Sequence, residues 1–124
     1  MHPSVERLNL VKNKIEEIIN SKQLKTDPQI IAVTKTFPLE KIIPLLDEGH
    51  IHFGENKIQE AESKWTDVKK KYTKVQLHML GKLQTNKAKK AVKLFDYIHS
   101  LDNAKLASKL CQYEKELNKK IKFF

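Results

Sequence analysis

The chain has 124 residues, with 24 Lys+Arg against 15 Asp+Glu for a formal charge of +9, and it is 40% hydrophobic and 31% charged. That balance excludes a solvated disordered chain, and no run approaches the roughly 18 apolar residues of a membrane-spanning helix. One cysteine, Cys111, excludes a disulfide framework and a multi-cysteine metal site and fits a reducing, cytoplasmic setting.

Residues 4–20 carry Val5, Leu8, Val11, Ile15, Ile18 and Ile19 at spacings of three and four, which predicts an amphipathic helix. No uninterrupted apolar core and no small-residue cleavage site stand there, so it does not read as a secretory signal. Asp27–Pro28 predicts a turn, and residues 29–34, short and β-branched, a strand buried on both faces. Pro38 opens a second helix that Gly49 closes, with Pro44 inside it expected to kink or shorten it. The alternation then repeats: strand 50–54, helix 56–71, strand 75–80, helix 84–94, strand 97–101 and helix 103–118. The last residues, IKFF, read as the opening of a fifth strand.

Strands alternating with helices of this length predict right-handed crossovers and a parallel sheet. An open doubly wound sheet and a (β/α)8 barrel both fit; a complete barrel takes about 250 residues. The three glycines, Gly49, Gly54 and Gly81, form neither a dinucleotide fingerprint nor a phosphate-binding loop of the nucleoside-triphosphatase kind. Only Arg7 among the basic residues is an arginine, so the lysine clusters 69–71, 87–90 and 119–120 read as solvated helix faces rather than a nucleic-acid surface.

Chemistry concentrates at IAVTKTFP, residues 31–38. Period-two alternation puts Ile31, Val33 and Lys35 on one face and Ala32 and Thr34 on the other. Lys35 then ends a buried parallel strand at the edge where α/β proteins build their sites. Desolvation there disfavours the ammonium, as a Schiff-base lysine requires. A lysine reaching out to solvent from a strand end fits the same position.

IAVTKTFP at 31–38, HFGENKIQE at 52–60, HMLGKLQTNK at 78–87 and IHSLD at 98–102 occur in this order and at these spacings. Together they resemble the pyridoxal-phosphate homeostasis family, the YggS or PROSC proteins, related to the N-terminal barrel of alanine racemase; the likeness covers nearly the whole chain. The resemblance implies a (β/α)8 TIM-type barrel with an extra N-terminal helix, of which residues 1–124 form one incomplete domain, the N-terminal half: the helix at about 4–20 and β/α units over about 29–124. It implies pyridoxal 5'-phosphate (PLP) held as an aldimine on Lys35, with Asn56 bordering the pocket. It further implies a cytoplasmic, non-catalytic role in vitamin B6 homeostasis, with PLP-dependent apo-enzymes as recipients. Racemases of this fold add a catalytic tyrosine from a β-domain that has no counterpart here. Family members are roughly twice as long, and in such barrels loops after strands seven and eight grip the phosphate. A second copy or second chain completing the barrel is therefore an expected partner. A truncated remnant without function and a basic nucleic-acid-binding module are the alternatives.

Other residues have plainer readings. His50 and His52 sit two apart on one strand face, without further ligands for a metal. His78 and His99 read as hydrogen-bonded interior groups, and Glu55 and Glu60 as carboxylates complementing a helix dipole. Gln84 and Asn86 read as a cap for the fourth helix, Cys111 as buried packing and Trp65 as core.

Overall fold

A computed structural model of the chain describes residues 3–23, 28–34, 38–99 and 101–123. The elements run α1 (Pro3–Lys22), β1 (Ala32–Val33), α2 (Leu39–Asp47), β2 (His52–Glu55), α3 (Ile58–Lys71), β3 (Gln76–Met79), a 3-10 turn (Thr85–Lys87), α4 (Ala88–Leu94), β4 (Tyr97–Ile98), α5 (Ala104–Leu117) and β5 (Lys122–Phe123). Every expected helix and strand is present, while the expected turn at Asp27–Pro28 lies partly outside the described residues. The first strand is shorter than its apolar run, Ala32–Val33 only, and it is not buried on both faces as expected, since Val33 is exposed.

The chain divides into two compact units. One holds α1 and α2, with Val5, Leu8, Ile42 and Leu46 buried. α2 runs through Pro44 to Asp47. Gly49, at φ +91°, donates its amide to Leu46 O and ends the helix, a backbone state that suits glycine.

The other unit holds the sheet with α3, α4 and α5. All five strands are parallel and lie in the order β1-β2-β3-β4-β5. Each strand pairs with its neighbour in sequence, and no reversal of order occurs. A doubly wound sheet needs such a reversal, and none occurs among the five described strands. The register aligns Val33, Gly54, His78 and Tyr97 in one row. With period-two alternation, one face carries Phe53, Glu55, Leu77, Met79 and Ile98, all at most 1% exposed. This face packs under the helices: the Phe53 ring lies 5.0 Å from that of Trp65 on α3. Ala88, Ala91, Val92, Leu106 and Leu110 of α4 and α5 are fully buried with it. Asn103 caps α5, its Oδ1 accepting from the Leu106 amide at 2.7 Å. The opposite face carries His52, Gly54, Gln76, His78 and Tyr97.

Candidate functional site

The C-terminal ends of β1 to β4 form one edge of the sheet, and the four sequence motifs end there. Thr34 follows β1, Asn56 follows β2, Leu80 and Gly81 follow β3, and His99 follows β4. Lys35 lies outside the described residues. Asn56 is half-buried in the turn between β2 and α3. Gly81 crosses this turn so closely that a Cβ on it would stand 2.1 Å from Asn56 O. The glycine is what lets the end of β3 run against the Asn56 backbone.

Beneath this edge, on the helix side, lies a buried carboxylate. Glu55 is the last residue of β2 and is 0% exposed. Its Oε1 accepts from Thr34 Oγ1 at 2.6 Å, Lys64 Nζ at 2.9 Å and Trp65 Nε1 at 2.9 Å. Its Oε2 is buried without a hydrogen-bond partner. Lys64 also donates to Thr34 O at 2.7 Å, and Thr34 N donates to Gly54 O at 3.0 Å. α3 supplies two of the three donors to Glu55, Lys64 and Trp65: Ile58, Ala61, Trp65 and Val68 form its buried stripe, and Lys64 lies beside that stripe.

This corrects the reading of Glu55 as a helix-dipole group. α3 begins at Ile58, so Glu55 stays in the strand, and alternation turns it under the helix; Glu60 is the acidic residue of the first turn. Gln84 precedes the 3-10 turn but makes no side-chain cap. Cys111 is exposed, because α5 buries the stripe through Leu106 and Leu110 and the next residue points about 100° away. Trp65 is core, as expected.

On the other face, β2 and β3 each present a histidine, and a third, His99, follows β4. His52 Nδ1 lies 3.0 Å from His78 Nε2, and His78 Nδ1 lies 2.9 Å from His99 Nε2. The Tyr97 ring stacks on His78, 4.1 Å between centroids and 5° between planes. A neutral imidazole has one N–H, so His78 accepts from one neighbour and donates to the other, and both bonds run the same way along the chain. Burial, then the neighbouring His52 and His99, pushes His78 down to about 4 against the opposing pull of Asp96. Burial also lowers His52 and His99. The histidines are thus hydrogen-bonded, as expected. Their linkage was missed, although one histidine recurring per strand was the available signal. His50 precedes β2 and is buried, its amide donating to Leu45 O. Among the described residues no group of three or more His, Cys, Asp or Glu side chains is placed to hold a metal ion.

No family model matches the chain. A pyridoxal phosphate homeostasis protein of Synechocystis is 42% identical over 91 residues, covering 73% of this chain and 41% of that protein. The solved structure of PipY of Synechococcus elongatus without PLP superposes with a TM-score of 0.73 at 40% identity, covering 86% of this chain and 50% of PipY. The PipY structure with PLP bound gives 0.72 at 38% identity, covering 86% of this chain and 51% of PipY. The chain spans about half the length of the relatives it matches.

Proposed function

We propose that this homologue of the pyridoxal phosphate homeostasis proteins binds PLP on Lys35 and serves as a cytoplasmic, non-catalytic carrier of the cofactor. The observation that carries the reading is the convergence of all four family-like motifs on one edge of a sequentially wound parallel sheet. That edge is where barrels of this winding bind ligands. The PipY structure with PLP bound supports it further.

In this reading Lys35 would hold the cofactor through its amine, and PLP when bound would supply the aldehyde that such a lysine engages. The half-buried Asn56, beside the β2 end, offers an amide to the cofactor at the pocket border. The residues present suit the aldehyde end: a lysine following β1, an amide following β2 and no carboxylate of Glu55 facing outward. We further propose that the five strands are the N-terminal part of a barrel of this kind. Among the described residues no helix is long and apolar enough to cross a membrane.

Titration of the purified chain with PLP, borohydride reduction and peptide mass mapping test the reading. Of the 23 lysines, Lys35 is expected to be modified stoichiometrically, and Lys35→Ala to abolish the near-visible absorbance band. Labelling scattered over surface lysines, unchanged in Lys35→Ala, refutes it.

A further inference from the structure

We propose that His52, His78 and His99 form a proton relay, which carries a proton across the sheet from the start of β2 to the C-terminal edge beyond β4. The inference goes beyond the cofactor reading and holds whatever binds at that edge. It is carried by the strand register together with two ring contacts.

His52 opens β2 and lies opposite Gln76, two residues before His78. His78 lies opposite Tyr97, two residues before His99. Each histidine thus stands two residues nearer the C-terminal edge than the one before it, a climb of about 13 Å along the strands. The rings bridge both steps, His52 Nδ1 to His78 Nε2 at 3.0 Å and His78 Nδ1 to His99 Nε2 at 2.9 Å. The stacked Tyr97 ring holds the His78 ring between them. His78 is 4% exposed, whereas His52 and His99 are half-buried, so the ends of the row meet solvent and its middle does not.

Such a relay needs no reactant besides water. A proton taken from solvent bonds to His52 Nε2. The His52 Nδ1–H bond breaks as His78 Nε2–H forms, and the His78 Nδ1–H bond breaks as His99 Nε2–H forms. His99 gives up a proton from Nδ1. Each ring gains one proton and loses one, and both hydrogen bonds reverse direction. Passage the other way restores the first state. A group that gains or loses a proton at the C-terminal edge thereby finds a partner in His99.

The row suits the task because every station is the same chemical group, so a proton is held alike at either end. Burial and the two neighbouring imidazoles disfavour charge on His78, which makes the middle ring a point of passage rather than of rest. Of the charged groups around the row, Asp96 favours a proton on His78 and is itself paired with Lys69 at 2.8 Å. Lys122 of β5 lies over the Tyr97 ring, its Nζ 5.5 Å from the centroid. Gln76, on the same face, is neutral. Packing alone would be served as well by apolar side chains, which need no hydrogen-bond partners.

The test is exchange of the imidazole N–H protons with water in the intact chain, labelled with nitrogen-15 at histidine and read by NMR. It is run on wild type and on two double variants, His52→Phe with His99→Phe and His52→Gln with His99→Gln, with folding checked by circular dichroism. In wild type the buried His78 N–H should exchange nearly as fast as those of His52 and His99, because its proton leaves through them. Phenylalanine fills the place of an end ring, and glutamine also keeps a hydrogen bond, but neither passes a proton on. Both double variants should slow His78 exchange about tenfold or more, since the ring then meets water only when the sheet opens locally. A row that serves packing alone gives the reverse: weaker contacts to His78 leave its exchange unchanged or faster. That result in a folded variant overturns the proposal, as does slow His78 exchange beside fast ends in wild type. If the phenylalanine variant does not fold, the glutamine variant carries the test, and the wild-type comparison stands without either.

Discussion

Replacing Gly81 by alanine tests whether the close passage over the β2 turn is built into the fold. The new methyl would stand 2.1 Å from Asn56 O, 2.9 Å from its carbonyl carbon and 3.0 Å from its Cα. Comfortable contact is near about 3.5 Å, so backbone has to give by about 1 Å or more. Backbone is stiff here, because the Leu80 amide bonds Glu55 O at 2.9 Å one residue away on each strand. Overpacking of this kind costs about 1–3 kcal/mol and a strained ladder bond about 1 kcal/mol more, for a total of about 2–4 kcal/mol. For a chain of this size that is a fall of roughly 10 °C in Tm. Urea unfolding followed by circular dichroism measures it. Gly54→Ala and Gly49→Ala are the controls. A Cβ at Gly54 meets only side-chain atoms, Leu80 Cδ1 at 2.5 Å, Ile31 Cγ2 at 3.0 Å and Leu80 Cγ at 3.1 Å, and Gly49 has nothing within 4 Å but sits at φ +91°, so each is expected to cost about 1–2 kcal/mol. Gly81→Ala at wild-type stability, or a cost below the two controls, would refute the reasoning.

Three further outcomes are expected. His78 is held at about 4 in the folded chain but titrates near 6.5 when unfolded, so below pH 6.5 the unfolded state binds more protons. Stability should therefore fall as pH drops from 6.5 toward about 4, by about 1–2 kcal/mol after allowing for solvent near the ring, and His78→Gln should flatten that part of a urea-midpoint profile. Trp65→Phe keeps the ring against Phe53 but removes one of three donors to Glu55, which should cost about 1–2 kcal/mol by denaturant titration. Asn103→Ala removes the α5 cap and should lower stability by about 1 kcal/mol, read as a Tm shift.

Periodicity was enough to find the order of elements, because each apolar run is bounded by turn residues and each helix shows a stripe such as Ala61–Trp65–Val68. Strand length was not readable. The run at 29–34 is apolar from Ile30 to Val33, but only Ala32 and Val33 have partners in the ladder. Pairing belongs to the neighbour, not to the run. Glu55 was misread because one residue of strand end decides its environment: beyond the strand it would flank the helix start as a surface charge, and as the last strand residue it is core. Cys111 was misread for a similar reason, since a turn of about 100° separates it from the buried Leu110. The histidine chain needed the register between strands, which alternation within a strand does not supply. Lys35, on which the functional reading turns, was singled out by its motif and lies outside the described residues.

The sequential strand order has a consequence for how the chain is made. Each strand pairs with the one completed just before it, and every pairing closes a loop of a single β/α unit: Ala32 with Phe53, Gly54 with His78, Met79 with Ile98, Ile98 with Phe123. Loop-closure entropy is then lost in similar small steps, and none of these four pairings waits for a distant partner. A chain emerging from the ribosome can extend its sheet one unit at a time, with the newest strand always the growing edge. A single substitution that weakens one pairing should accordingly stall growth at that unit and leave the units already emerged intact.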